Sequence, residues 1–270
     1  MPDITVRGAR LHYTDEGPAT PRGTILFLHG LLWSGWMFGP QARALSSQWR
    51  CIRLDWRGQG KSEVPAGGYD METLTDEVVA VMDALKTGPC HVVGLSMGGF
   101  VAMRLGVRHP ERVRSLSLLE TSADSEPPEN VPKYRRLAFV ARWFGLRLVK
   151  TPVMKIMFGK TFLADPAREA DRAEALRELL SLDVPGMIRA LEGVITRAAV
   201  YDDLVKITAP TLVVVGEEDV ATVPAKAERI AARIPGARLH KVPGAGHTSS
   251  WEQPARITEL IRAHVEAAAK

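Results

Sequence analysis

The chain has 270 residues and a mass of 29.6 kDa, with 46% hydrophobic and 24% charged residues, enough to bury a full core without disulfides or metals. A net charge of +4 and a pI near 9.2 are a mild basic excess unaccompanied by any nucleic-acid-binding motif, which excludes that class of function. Two cysteines, Cys51 and Cys90, make neither a disulfide framework nor a zinc site, and no apolar run reaches the ~18 residues of a membrane span.

In chain order, VRGARLHYTDEG reads as an antiparallel hairpin at a sheet edge. Short apolar runs rich in β-branched residues follow: TILFLHG, CIRLDW, HVVGLS, VRSLSLLE, TLVVVGEED and the weaker ARLHKVPG. Such runs suit strands buried on both faces of a parallel sheet covered by helices. Between them, a helical pattern runs from about 72 to 86 and ends at Gly88-Pro89, and Pro224 opens another that Pro235-Gly236 closes. From about 122 to 206 the strands stop and helical patterns take over. The expected organisation is an α/β core of residues 1–121 and 207–270 with a helical lid (cap) insertion, 122–206, over the carboxyl ends of the strands, where open α/β sheets bind ligands. The start, MPDITVRGARLHY, lacks the charged and apolar regions of a secretory signal, so a cytoplasmic protein is expected.

The chemistry centres on GLSMGG, where Gly94, Ser96 and Gly98 satisfy G-x-S-x-G between a strand and the helical pattern FVAMRLGVRHP. That context is a strand–turn–helix that projects a serine hydroxyl above the sheet. A phosphate-binding G-x-G-x-x-G would need glycine where Ser96 stands, and RGQGKS lacks a P-loop's first glycine because position 55 is Asp55. A serine hydroxyl is a poor nucleophile without a base in hydrogen-bond reach. Of the seven histidines, His247 stands out, because GAGHTSS follows the last predicted strand. His29 is expected to shape the loop after TILFL. The base needs an acid to hold its tautomer. Asp219, four residues past TLVVV, is favoured over Glu217, Glu218 and Asp124 because its loop turns into a helix from which it reaches His247. The chain order Ser96, Asp219, His247 is that of nucleophile-elbow hydrolases.

The stretches LFLHG, DWRGQGKS, GLSMGG, GEEDVATVP and GAGHTSSWEQP resemble the α/β-hydrolase superfamily along nearly the whole chain. The resemblance is strongest to the branch of carboxylesterases, 3-oxoadipate enol-lactonases and cofactor-free haloperoxidase/perhydrolase-like enzymes. It implies a mostly parallel eight-stranded sheet with helices on both faces, no cofactor or metal, and an oxyanion hole made by the backbone N–H groups of Leu31 and Met97. The family's strand order would set the strands of Cys51 and Cys90 two spacings apart, keeping both thiols free. DWRGQGKS is expected to be a structural turn. Serine at the elbow separates the chain from relatives that carry aspartate there, the haloalkane dehalogenases and epoxide hydrolases.

The expected function is a carboxylesterase cleaving small to medium esters through an acyl-enzyme on Ser96. Lactone hydrolysis and perhydrolysis are the alternatives within the branch, and a non-catalytic ligand-binding protein is the alternative from another class. Residues 131–160 hold eight Lys or Arg and no acid beside Trp143 and Phe144, a composition that fits a membrane-surface or partner-binding helix and equally a lid helix. The reading favoured is a lid helix with one face on the site and a solvated cationic face that would favour anionic substrates such as a dicarboxylic lactone. Trp33, Trp143, Phe144 and Val220 are the expected substrate contacts. The expected partner is a small-molecule ester or lactone, with no nucleic acid and no stable membrane insertion, and homo-oligomerisation is left open.

Overall fold

The apolar runs form strands β3 (Thr24–Leu28), β4 (Arg50–Leu54), β5 (Cys90–Leu95), β6 (Val113–Leu119), β7 (Thr211–Gly216) and β8 (Arg238–Val242), in a computed structural model that describes residues 2–269. β1 (Asp3–Val6) and β2 (Ala9–Glu16) are the expected hairpin, turned by Arg7 and Gly8 at positive φ. One eight-stranded sheet results, in the order β1-β2-β4-β3-β5-β6-β7-β8. β1, β2 and β4 pair antiparallel, and β4 through β8 pair parallel.

Every residue of β3 is buried, as a strand covered on both faces must be. Its alternate side chains enter two separate cores. Ile25 and Phe27 pack with α1 (Gly39–Leu45) and α11 (Pro254–Ala268). Leu26 and Leu28 pack with α2 (Met71–Ala84), α3 (Met97–Arg108) and α9 (Pro224–Arg233). The α2 helix starts where Asp70 accepts a hydrogen bond from Thr73 N–H at 2.8 Å, one residue before the pattern predicts.

β3 lies between the two cysteine strands, with Ile25 opposite Cys51 on one side and His91 on the other. Both thiols are free, and burial pushes Cys51 up to about 12 and Cys90 up to about 11, so neither is a reactive thiolate. Between β6 and β7 come α4 (Val131–Phe144), α5 (Leu146–Met157), α6 (Lys160–Ala164), α7 (Glu169–Leu180) and α8 (Val184–Ile195), with no strand among the described residues. A short α10 (Ser249–Glu252) precedes α11. No helix among the described residues is long and apolar enough to cross a membrane.

Candidate active site

Ser96 stands between the end of β5 and the start of α3 with φ 51° and ψ −113°, a backbone conformation that side chains other than glycine rarely adopt. Three contacts impose it. Ser96 N–H donates to Leu119 O at 2.9 Å, and Ser96 O accepts from Phe100 N–H at 3.0 Å and from the Thr121 hydroxyl at 2.9 Å. The glycine two residues on is required by packing: a Cβ on Gly98 would collide with the Leu28 carbonyl of β3. The elbow is pressed against the neighbouring strand, so the serine hydroxyl points away from it.

His247 comes from the loop after β8. The Ser96 hydroxyl lies 2.9 Å from His247 Nε2, and His247 Nδ1 lies 2.9 Å from Asp219 Oδ2. A carboxylate only accepts, so Nδ1 carries the proton and Nε2 is left to accept from serine. Asp219 is held in turn. Its Oδ1 accepts from Ala221 N–H (2.8 Å) and Thr222 N–H (3.0 Å), and its Oδ2 from the Thr222 hydroxyl (2.8 Å). All three side chains are buried to within a tenth of full exposure, at 9%, 3% and 3% for Ser96, Asp219 and His247.

The competing acids lie elsewhere. Asp124 pairs with Lys226 at 2.7 Å and Arg229 at 3.3 Å, and Glu218 accepts from Thr161 N–H and hydroxyl. Glu217 is exposed. The acid beside the site at the end of β6 is Glu120, fully buried, whose Oε1 accepts from Gly216 N–H at 3.1 Å. Burial and then the neighbouring Asp219 charge hold its carboxyl well above the usual carboxylate range.

Glu252 was not singled out from the sequence. Its carboxyl accepts from Gly246 N–H (2.9 Å) and Thr248 N–H (3.0 Å), the amides flanking His247, and from Gly159 N–H (2.9 Å) after α5. One buried side chain thus clamps the histidine loop to the helical segment. Its only sequence signal is an acid five residues past the histidine, in GHTSSWEQP. Thr222 carries a similar signal, three residues after Asp219 and two before Pro224.

His29 fixes the loop that carries Leu31. Its Nε2 accepts from Trp56 N–H at 3.0 Å, so Nδ1 holds the proton and donates to Gly30 O at 2.7 Å. Burial drives its pKa down to about 4, against the pull of Asp55, and the ring stays neutral. Leu32 N–H donates to Gln59 Oε1 at 2.9 Å, which ties the DWRGQGKS turn to the same loop. That loop packs on the elbow: a Cβ on Gly30 would meet Ser96 Cβ at 3.4 Å. Met97 is the first residue of α3, so its N–H lies outside the intrahelical ladder.

Above Ser96 and His247 opens a cavity of about 120 Å³, several times the space one water needs. Its walls are apolar and come mostly from α4, α5 and α8, including Leu137, Ala141, Val149, Val153 and Leu191. Among the described residues lining it there is no lysine or arginine. The charged one is Glu126, paired with buried Arg197 at 2.9 Å. Tyr134 stands on the same wall, its phenol pushed up to about 12 by burial and then by Glu126, and so a neutral donor.

None of the four expected substrate contacts lines this cavity. Trp33 is 1% exposed and packs in the core between Trp36 and Phe158. Trp143 and Phe144, both 65% exposed, occupy the outer side of α4, and Val220 is exposed while its neighbours Ala221 and Thr222 reach the cavity. All eight cations of the basic segment are exposed, as a solvated face is expected to be, and none of them lines the cavity. No group of three or more His, Cys, Asp or Glu among the described residues is placed to hold a metal ion.

The fold and this constellation define a class, and comparison with known proteins agrees. A profile for the alpha/beta hydrolase fold matches residues 23–254. The chain belongs to the α/β-hydrolase family. It is 31% identical over 256 residues to a putative carbamate hydrolase, RutD, of Variovorax paradoxus (strain S110), covering 91% of this chain and 92% of that one. Among solved structures, the enol-lactonase from Burkholderia xenovorans LB400 superimposes with a TM-score of 0.91 at 30% identity, covering 98% of this chain and 100% of that one. A thermophilic esterase from Thermogutta terrifontis matches with a TM-score of 0.89 at 28% identity, covering 99% and 97%.

Proposed function

We propose that the protein is a serine hydrolase of carboxylic esters whose acyl or alcohol group is apolar and uncharged, with Ser96, His247 and Asp219 as its catalytic triad. The observation that carries this reading is the chain of two 2.9 Å hydrogen bonds from Asp219 through His247 to Ser96, opening on an apolar cavity. Ser96 Oγ attacks the ester carbonyl carbon as its proton passes to His247 Nε2. The carbonyl oxygen becomes an oxyanion, held by the N–H groups of Leu31 and Met97. Collapse breaks the bond to the alcohol, which leaves with the proton from His247. A water then attacks the acyl-enzyme, giving its proton to His247, and the acid is released as that proton returns to Ser96. No cofactor enters the cycle.

In this reading residues 122–206 are a lid on a core of 1–121 and 207–270, and they supply the acyl pocket. A lactone is a cyclic ester and needs the same steps, and the likeness to an enol-lactonase supports lactones as substrates. The cavity favours uncharged ones, because it offers a substrate carboxylate no cation and one carboxylate, Glu126, whose charge Arg197 already pairs. Turnover of p-nitrophenyl esters tests the proposal. The wild type hydrolyses uncharged alkanoyl esters and is slower on a carboxylate-bearing one, while Ser96→Ala, folded by circular dichroism, loses turnover. A folded wild type inactive on every ester and lactone offered would refute it.

A further inference from the structure

Seven large apolar side chains are exposed among the described residues, and four of them fall within residues 139–148, around the turn at Gly145 that joins α4 to α5. They are Phe139 (58% exposed), Trp143 (65%), Phe144 (65%) and Leu148 (66%), and the Phe139 and Trp143 rings lie 6.5 Å apart. The inner faces of the same helices are spent on the cavity, so this outward face is not needed to build the pocket.

The same stretch, residues 131–160, carries eight cations, every one exposed, and no acid. Arg135 is paired with Glu192 of α8 at 3.0 Å, and Lys160 lies beside Glu218. The other six, among them Arg136, Arg142 and Arg147, have no ion-pair partner among the described residues. Arg142 stacks over Trp143 at 5.8 Å, and its charge stays at the surface.

Exposed Trp, Phe and Leu interspersed along α4 and α5 with exposed, unpaired Lys and Arg match the chemistry of a headgroup layer, where aromatic rings enter the acyl boundary and cations meet phosphate. A second copy of the same face is disfavoured as the occupant, because a two-fold contact would set one cationic stretch against its duplicate. We infer that the outer face of α4 and α5 docks on an anionic lipid bilayer, with Phe139, Trp143, Phe144 and Leu148 entering the interface and the interspersed Lys and Arg contacting the headgroups. The docking needs no intact triad and stands apart from the proposed hydrolysis.

Sedimentation with vesicles tests it. The protein binds phosphatidylcholine vesicles containing phosphatidylglycerol at least roughly tenfold more tightly than phosphatidylcholine alone, and added salt weakens the binding. Trp143→Ser/Phe144→Ser/Leu148→Ser and Arg136→Glu/Arg142→Glu/Arg147→Glu each lose most of it, with circular dichroism unchanged because these side chains are exposed. Ser96→Ala binds like the wild type, whatever the outcome of the ester assays. Equal or no binding to the two vesicle types would overturn the inference, as would full binding by the charge variant. A wild type that is dimeric in solution and made monomeric by the apolar variant would assign the face to self-association instead.

Discussion

At the carboxyl edge of the sheet, Ser96, Asp219 and His247 are positioned by the backbone. A positive φ, the close pass of Gly98 against Leu28, and amide donors to Asp219 and Glu252 leave those atoms little freedom. Across the cavity, α4 and α5 set their wall by side-chain volume, through residues such as Ala138, Ala141 and Val149, and polar contacts tie only the end of α5 to the histidine loop, where Met157 O accepts from the Thr248 hydroxyl and Gly159 N–H donates to Glu252. The difference separates two kinds of sensitivity. Changes at the edge should act on the rate of every substrate, and changes on the helices should act on the choice among substrates.

The largest expected effect is at the edge. Asp219→Asn keeps the shape but cannot fix the Nδ1–H tautomer of His247, and kcat should fall by about 10³ to 10⁴ on all esters. Asp124→Asn, which loses only surface pairing, should cost less than roughly tenfold. Steady-state kinetics on one ester series distinguishes them, and the reverse ranking would move the acid to the end of β6.

Next comes the clamp. Burial pushes Glu252 up to about 7, against the pull of three backbone N–H groups, from an ordinary value of 4.5. Between those values the folded protein holds a proton that the unfolded chain has released. The stabilisation from this group is therefore complete below about 4.5 and lost as pH rises through about 7, a span of at most about 3 kcal/mol. The Tm of the wild type relative to Glu252→Gln should fall across that window, by roughly 5–10 °C, and level off above it. A constant difference from pH 4.5 to 8 would show that Glu252 is ionised throughout.

The helix wall should respond more gently and selectively. Ala138→Leu adds bulk to the cavity and should lower turnover of long-chain relative to acetyl esters by about tenfold. Trp143→Ala and Phe144→Ala, on the outer side of the same helix, should leave that ratio within about twofold. If the outer pair altered chain-length preference more than Ala138 did, the assignment of faces would be reversed.

The same contrast explains what was legible in the sequence. Strands β3 to β8, the elbow and the order Ser96, Asp219, His247 are readable because each depends on local pattern: an apolar run, a glycine-spaced turn, an acid or histidine just past a strand. His29 as a loop-shaping residue and DWRGQGKS as a structural turn are readable for the same reason. The wall is not readable. Helical periodicity shows that α4 has two faces but not which one meets the cavity, and aromatic content pointed to Trp143 and Phe144 although Leu137, Ala138 and Ala141 face inward. Trp33 follows the His29-Gly30 pair closely, yet its ring is taken up by the core. Glu120 matters through its contact with Gly216, and Glu252 joins the histidine loop to Gly159; both partners are distant in the chain, which spacing does not reveal.

The central claim is that Ser96 alone is made nucleophilic by the hydrogen-bonded chain behind it. An active-site-directed fluorophosphonate, followed by peptide mapping of the adduct, tests it most directly. The expected result is a single phosphonylated residue, Ser96, with labelling slowed in Asp219→Asn and absent in Ser96→Ala. Labelling of another residue, or an ester-hydrolysing protein whose Ser96 stays unmodified, would contradict the account.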